Sequence, residues 1–372
     1  MDFTENEEQR ELAALTREIL AGVTPERLRA AEDAGDRFDK ALWADLAGAG
    51  ILAAALPEAL GGSGLDLLAQ CAVLIELGRA VAPVPYLASI VLGAGALARF
   101  GTPEQQRQWA EPAGRGELIL TAALAEEDGD DPAEPSTRAA PVKGQGEAGG
   151  GWQLSGVKTT VPAAPQAALM LVPAATPDGV RVFLVQPGDA GVTVAGQHLT
   201  NGDSAGRVVL DGVTLGAGRV LGGADTAGWL VTAATIGLCA EQAGVTGRAL
   251  ELTAEYARNR VQFGKPIGGF QAVAQRLADA YVDVEAIRLT MWQAAWLLAA
   301  GLPCATEAAT AKFWAAEGGH RVAHTAVHVH GGVGIDLEYP LHRYFTAAKH
   351  REFALGGATT QLRRIGAAMA AG

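Results

Sequence analysis

Cysteine is scarce: Cys71, Cys239 and Cys304 are the only three in 372 residues. No two stand close enough for a CxxC knuckle, and so few scattered thiols cannot build a disulfide scaffold. Positive charge is also in deficit, with 29 Lys and Arg against 41 Asp and Glu and a net charge of −12. That balance disfavours nucleic acid and anionic membrane as general partners. The amino end, MDFTENEEQRELAAL, is acidic where an export signal would be basic. The apolar stretches are alanine-rich and shorter than a bilayer span, so no membrane segment is expected. A GxGxxG turn between a strand and a helix is missing, as is any fixed-period repeat. What is present is a composition suited to an ordered core, 49 % hydrophobic with 48 glycines. A cytoplasmic globular protein is the expectation.

The hydrophobic period changes twice along the chain. Residues 1–116 read mainly as helix. In ENEEQRELAALTREILA, Leu12, Leu15, Ile19 and Leu20 follow a helical spacing, with acids in the first turn. LPEALGGSGLD is a Pro/Gly-punctuated connection, and TPEQQRQWAEPAGRG predicts a short helix with Thr102 as N-cap and Pro103 at N1. Residues 117–225 carry short β-type runs, among them GWQLSGVKTTVP, GVRVFLVQP and AGRVVLDGVTLG, spaced as in a compact barrel or sandwich. The acidic stretch EEDGDDPAEPSTR is expected to be a loop. Residues 226–372 turn helical again, with three long segments and a closing TTQLRRIGAAMA. An α-helical N-terminal domain, a middle β-barrel domain and a C-terminal four-helix bundle is the predicted architecture.

Two glycine-rich elements interrupt the last part. RNRVQFGKPIGGFQ (258–271) follows the first long helix. Arg258 and Arg260 suit a helix C-terminus by charge alone. Followed directly by Phe263 and Gln271, however, Arg260 also offers a fork for phosphate oxygens and Phe263 a flank for a planar ring. HVHGGVG (328–334) ends another helix, where Gly331 and Gly332 either stop the helix or let a flat ligand approach the backbone. His320, His324 and His328 recur at i, i+4 and i+8 without a carboxylate or thiol at ligand spacing, so no metal site is expected.

Taken together, these segments resemble the acyl-CoA dehydrogenase family over nearly the whole chain. PEALGGSGLD resembles its Pro-Glu-x-x-Gly-Gly-x-Gly loop. YARNRVQFGKPIGGFQAVAQRLAD and VHGGVGIDLEYPLHRYFTAAK resemble its two signature regions, in the same order. The resemblance implies bound FAD in a homo-oligomer or a heterotetramer with a homologous subunit. Arg260 then matches the arginine on the FAD pyrophosphate. Phe263 and Gln271 match contacts reached from a neighbouring subunit, and His328, Gly331 and Gly332 match the loop at the adenosine half. It further implies an acyl-CoA substrate, a glutamate that removes the α-proton, and an electron-transfer flavoprotein as acceptor.

The match breaks where the chemistry should lie. One family position for the glutamate falls on Leu355, Gly356 and Gly357; Glu352 is the nearest acid. The other falls on Ala234, beside Thr235. Glu241, an acid among small apolar residues, is the candidate base, because desolvation would raise its pKa. In the middle segment Ala125 stands in place of a threonine, Thr160 in place of a tryptophan and Pro162 in place of a second threonine; Thr160 is the remaining candidate flavin contact. Two functions fit. The chain is a FAD-dependent acyl-CoA α,β-dehydrogenase using Glu241, or a non-catalytic subunit completing shared FAD sites with a catalytic partner, as in bacterial α2β2 members acting on steroid side-chain acyl-CoAs. A relative with other flavin chemistry is a third class.

Overall fold

A computed structural model describes residues 6–35, 37–127, 129, 131–142 and 150–371. The N-terminal part contains helices α1 (Glu7–Leu20), α2 (Pro25–Asp33), α3 (Lys40–Gly48) and α4 (Leu67–Ala80). A π-helical stretch, Leu87–Ala94, runs into α5 (Gly95–Phe100), and α6 (Pro103–Gln105) and α7 (Glu111–Gly114) flank a second such stretch. Thr102 caps α6 as expected, and it forms a reciprocal capping box with Gln105. Asn6 does the same for α1 through Gln9.

The buried stripe of α1 differs from the expected one. Gln9, Ala13, Thr16 and Leu20 face inward while Leu15 is exposed. Small residues allow α1 close to α4, and the Thr16 hydroxyl satisfies itself on the Leu12 carbonyl at 2.7 Å. The Arg17 guanidinium then bonds the buried Glu76 carboxylate through two nitrogens, at 2.6 and 3.0 Å.

The middle part is one eight-stranded sheet. Its strands are β1 (Leu120–Ala122), β2 (Arg138–Val142), β3 (Gly151–Pro162), β4 (Leu169–Thr176), β5 (Gly179–Val185), β6 (Val192–His198), β7 (Ser204–Gly216) and β8 (Val220–Leu221). The order is β6-β7-β3-β2-β4-β5-β8, with β1 parallel to β4. Leu154, Met170, Val172, Phe183, Val208 and Leu210 fill its core from alternate strand positions. The sequence hides β2, because that strand begins at the end of the acidic stretch expected to be a loop.

The last part has α8 (Asp225–Asn259), a two-stranded hairpin β9 (Val261–Gln262) and β10 (Lys265–Pro266), then α9 (Gln271–Ala299), α10 (Ala305–His330), α11 (Leu341–Phe353) and α12 (Ala358–Ala371). Helix α11 adds to the predicted segments. Its aromatic and basic residues suggest a contact surface, yet Leu341, Tyr344, Ala347 and Ala348 bury one face.

The chain divides into two compact units. One holds Met1–Arg29, Leu67–Ala82 and Thr235–Gly372; the other holds Ala30–Asp66 and Pro83–Ala234. In the first, α4 presses on α8 so closely that glycine is required. A Cβ at Gly244 would lie 2.0 Å from the Ile75 carbonyl oxygen, and one at Gly78 would lie 2.2 Å from that of Glu241. This contact sets α4 against α8 beside the Glu241 backbone.

Candidate functional site

The segment 258–271 leaves α8 as a tight hairpin. Gln262 pairs with Lys265, leaving Phe263 and Gly264 as a two-residue loop with φ of 52° and 78°. Two successive left-handed residues make a type I′ turn, which suits the twist of the short strands. Glycine takes that conformation freely, whereas phenylalanine is strained in it. Phe263 is also 93 % exposed, its ring set edge-on to Phe270 with centroids 6.2 Å apart. Lys265 sits over the Phe270 ring at 4.4 Å. The Arg260 backbone is anchored, its N–H donating to the Tyr256 carbonyl at 2.8 Å. Its guanidinium makes no hydrogen bond or ion pair among the described residues. Among the described residues, then, the phenyl is strained and outward and the cation unpaired.

The second glycine element lies at the same end of this unit. Tyr256, one turn before Arg260, stacks at 4.3 Å on His330, the last residue of α10. His330 is buried, which lowers its pKa despite the hydrogen bond to the Ala326 carbonyl. In the neutral ring Nδ1–H donates to Ala326 O at 2.8 Å, and Nε2 accepts from the Tyr339 hydroxyl at 3.2 Å. His330 thus ties the carboxyl end of α8, through Tyr256, to the Gly331–Gly332 turn, a role the i, i+4 histidine pattern conceals. Gly331 has φ 64° and ψ −141°, a conformation closed to side chains. Gly332 meets nothing within 4 Å, so no packing inside the chain demands glycine there. Beside it, a groove of about 780 Å³ between α9 and α10 is lined by Gln275, Arg276, His324 and the exposed His328. Gln271 opens α9 as an exposed residue.

Two carboxylates near the expected base positions, Glu241 and Glu352, have cationic partners. Glu241 Oε2 accepts from Arg351 Nε at 2.9 Å, and Arg351 also donates to the Ala347 carbonyl. A guanidinium partner favours the charged carboxylate, the opposite of what a desolvated base needs. Next to it, fully buried Gln242 donates to the carbonyls of Ala315 and Ala348. Glu352 accepts from Lys349 Nζ at 2.6 Å and faces His320 Nδ1 at 3.2 Å. Leu355 and Gly356 are left-handed, and the buried Gln361 amide donates to both their carbonyls. Lys312, wholly buried, donates to the carbonyls of Arg351 and Glu352 at 2.9 and 3.1 Å. Burial pushes its pKa down to about 8. Ala234 is buried and carries no ionisable group.

In the sheet unit, Thr160 occupies a bulge of β3 with φ 46°. Two residues earlier on the same strand, Lys158 pairs with Glu126 at 2.6 Å, with side-chain exposures of 0 % and 4 %. Burial alone would raise Glu126, but bonds from Lys158, Ser136 and Thr137 hold it down at about 2. Burial draws Lys158 below its usual range. Each group supplies the counter-charge that makes burial of the other tolerable. Sequence reasoning misses this pair: its members are 32 positions apart, and Glu126 sits in an apparent loop.

Known proteins share this framework. The acyl-CoA dehydrogenase N-terminal domain model matches residues 6–117, and the C-terminal domain model matches residues 222–370. The chain is 51 % identical over 379 residues to acyl-CoA dehydrogenase FadE27 of Mycobacterium tuberculosis, covering 100 % of this chain and 99 % of that protein. Among solved structures, it matches a chain of the ChsE4-ChsE5 complex from Mycobacterium tuberculosis with TM-score 0.94 and 52 % identity, covering 100 % and 99 % of the two chains. It matches a variant of the Tcur3481-Tcur3483 steroid ACAD with TM-score 0.91 and 43 % identity, covering 98 % of each chain.

Proposed function

Since the chain belongs to the acyl-CoA dehydrogenase family, we propose that it is the base-lacking subunit of a heteromeric acyl-CoA dehydrogenase. It completes FAD sites shared with a homologous catalytic chain. One observation carries this reading. The acids nearest the family's two base positions, Glu241 and Glu352, are held by Arg351 and Lys349, while the positions themselves hold Ala234 and Leu355-Gly356-Gly357. The residues that this reading assigns to the cofactor, Arg260, Phe263, Gln271 and His328, are nevertheless present and exposed. Relatives solved as two-chain complexes support a homologous partner, and the likeness to a steroid ACAD supports a bulky steroid acyl-CoA as the substrate class.

In this reading Arg260 would bind the FAD pyrophosphate by a charge-assisted fork, and Phe263 would flank a ring. Gln271 and His328 would supply polar contacts, with Gly331 and Gly332 admitting the adenosine half. Thr160 would contact a flavin on the sheet unit. The residues fit such a group: the donor is unpaired among the described residues, the phenyl exposed and Gly332 open. Bound FAD supplies a hydride acceptor, and an electron-transfer flavoprotein would take the electrons onward. The family division at 1–116, 117–225 and 226–372 and a cytoplasmic location belong to the same reading. Among the described residues no helix is long and apolar enough to cross a membrane. Glu241 then serves as the counter-ion of Arg351.

The test is co-expression with a homologous, glutamate-bearing acyl-CoA dehydrogenase chain. Flavin content and acyl-CoA oxidation should appear in the complex, and Arg260→Ala should lower the flavin content. Unchanged flavin in that variant would remove the cofactor role of the hairpin.

A further inference from the structure

We infer that Gln197 is a positioning residue, which holds Thr159 and Thr160 in the conformation that presents them to the flavin. The inference rests on the cofactor reading of Thr160 given above.

Strand register sets up the geometry. On β3 and β7, Lys158 pairs with Val208 and Val161 with Gly206. Two residues, Thr159 and Thr160, therefore oppose the single Arg207, which is a β-bulge. Within it Thr160 is left-handed at φ 46°. For a β-branched side chain this conformation is a genuine outlier, and it persists only where the surroundings impose it.

The surroundings do so from two sides. On one side, Lys158 is pinned to Glu126 at 2.6 Å, and the Thr159 N–H donates to the Ala125 carbonyl at 3.0 Å. On the other, Gln197 reaches over from β6, which pairs with the far edge of β7. Its Oε1 accepts from the Thr160 N–H at 2.8 Å, and its Nε2 donates to the Thr159 hydroxyl at 3.2 Å. The bulge takes the Thr160 amide out of the ladder, and the Gln197 amide group receives it instead. Bulges of this kind re-aim side chains. A single glutamine side chain thus fixes the backbone of one threonine and the hydroxyl rotor of its neighbour. Both lie in KTTVP, the stretch that stands where the family has its tryptophan-and-threonine cover, so Gln197 compensates in part for the substitutions there.

Hydrogen exchange on the full chain, flavin-free and flavin-loaded, tests this together with Gln197→Ala and Gln197→Glu. In flavin-free protein, Gln197→Ala should speed exchange of the Thr160 amide by about tenfold, the loss expected for one net hydrogen bond. Gln197→Glu keeps the acceptor, and the Thr159 hydroxyl can donate to it, so exchange should return close to the parent rate. In the loaded complex, Gln197→Ala should shift the flavin absorption band and Gln197→Glu should restore it. Unchanged Thr160 exchange in Gln197→Ala would overturn the clamp itself. Faster exchange with an unaltered flavin spectrum would overturn the cofactor half, because the clamped threonines would then not touch the flavin.

Discussion

The buried Glu126–Lys158 pair allows a prediction worked from its surroundings. Lys158 has no exposure, and Glu126 is its one hydrogen-bond partner among the described residues. Glu126→Ala would strand the ammonium in a dry site, and removing one member of a buried pair costs about 3–5 kcal/mol. Lys158→Met leaves a carboxylate that still accepts from the backbone and hydroxyls of Ser136 and Thr137. The loss should therefore be at the lower end, about 3 kcal/mol. Glu126→Gln with Lys158→Met together removes both charges and should recover a large part of the difference, since no isolated charge remains. Urea titration of the parent, both single variants and the double variant, read by tryptophan fluorescence, measures the three losses. The pH dependence follows with a definite sign. Glu126 is held at about 2 against an ordinary 4.5. Its contribution is complete above about 4.5 and is lost as the pH falls toward 2. If Glu126→Ala costs less than about 1 kcal/mol, the pair behaves as an exposed one and the reasoning fails.

Two further outcomes follow from backbone and burial. Gly331→Ala should destabilise the isolated chain by about 1–3 kcal/mol, because its φ and ψ exclude a side chain. Gly332→Ala should leave stability unchanged, since a Cβ there meets nothing, but should lower flavin retention in the complex; calorimetry and flavin absorbance separate the two effects. Lys312 is depressed to about 8 from 10.5 by burial, so the cost of its buried charge is full below about 8 and gone above 10.5. Parent stability relative to Lys312→Met should therefore rise as the pH increases through that window, measured by urea midpoints.

Long-period features are legible in the sequence, whereas local geometry is not. GWQLSGVKTTVP is β3 from end to end, and the Thr102 cap forms as its side chain dictates. Helix α1 shows the limit of periodicity: its leucines follow a helical spacing, but Ala13 and Thr16 face inward because close helix packing favours small residues. β2 carries Pro141 and three small or charged neighbours, so no strand signal rises above the surrounding acids. At the site, residue types locate the two glycine elements, because glycine is demanded at Gly331. They give no hint that Phe263 itself is left-handed, since phenylalanine is no turn former. The engagement of Glu241 is equally hidden. Its guanidinium partner lies 110 positions away, so the sequence does not show it.

Anaerobic mixing with acyl-CoA tests the central claim most directly, with flavin absorbance followed for the chain alone, for the complex and for the complex bearing Glu241→Gln. The account predicts no bleaching by the chain alone, rapid bleaching by the complex, and the same rate with Glu241→Gln. Bleaching by the chain alone that Glu241→Gln abolishes would contradict it and make Glu241 the base.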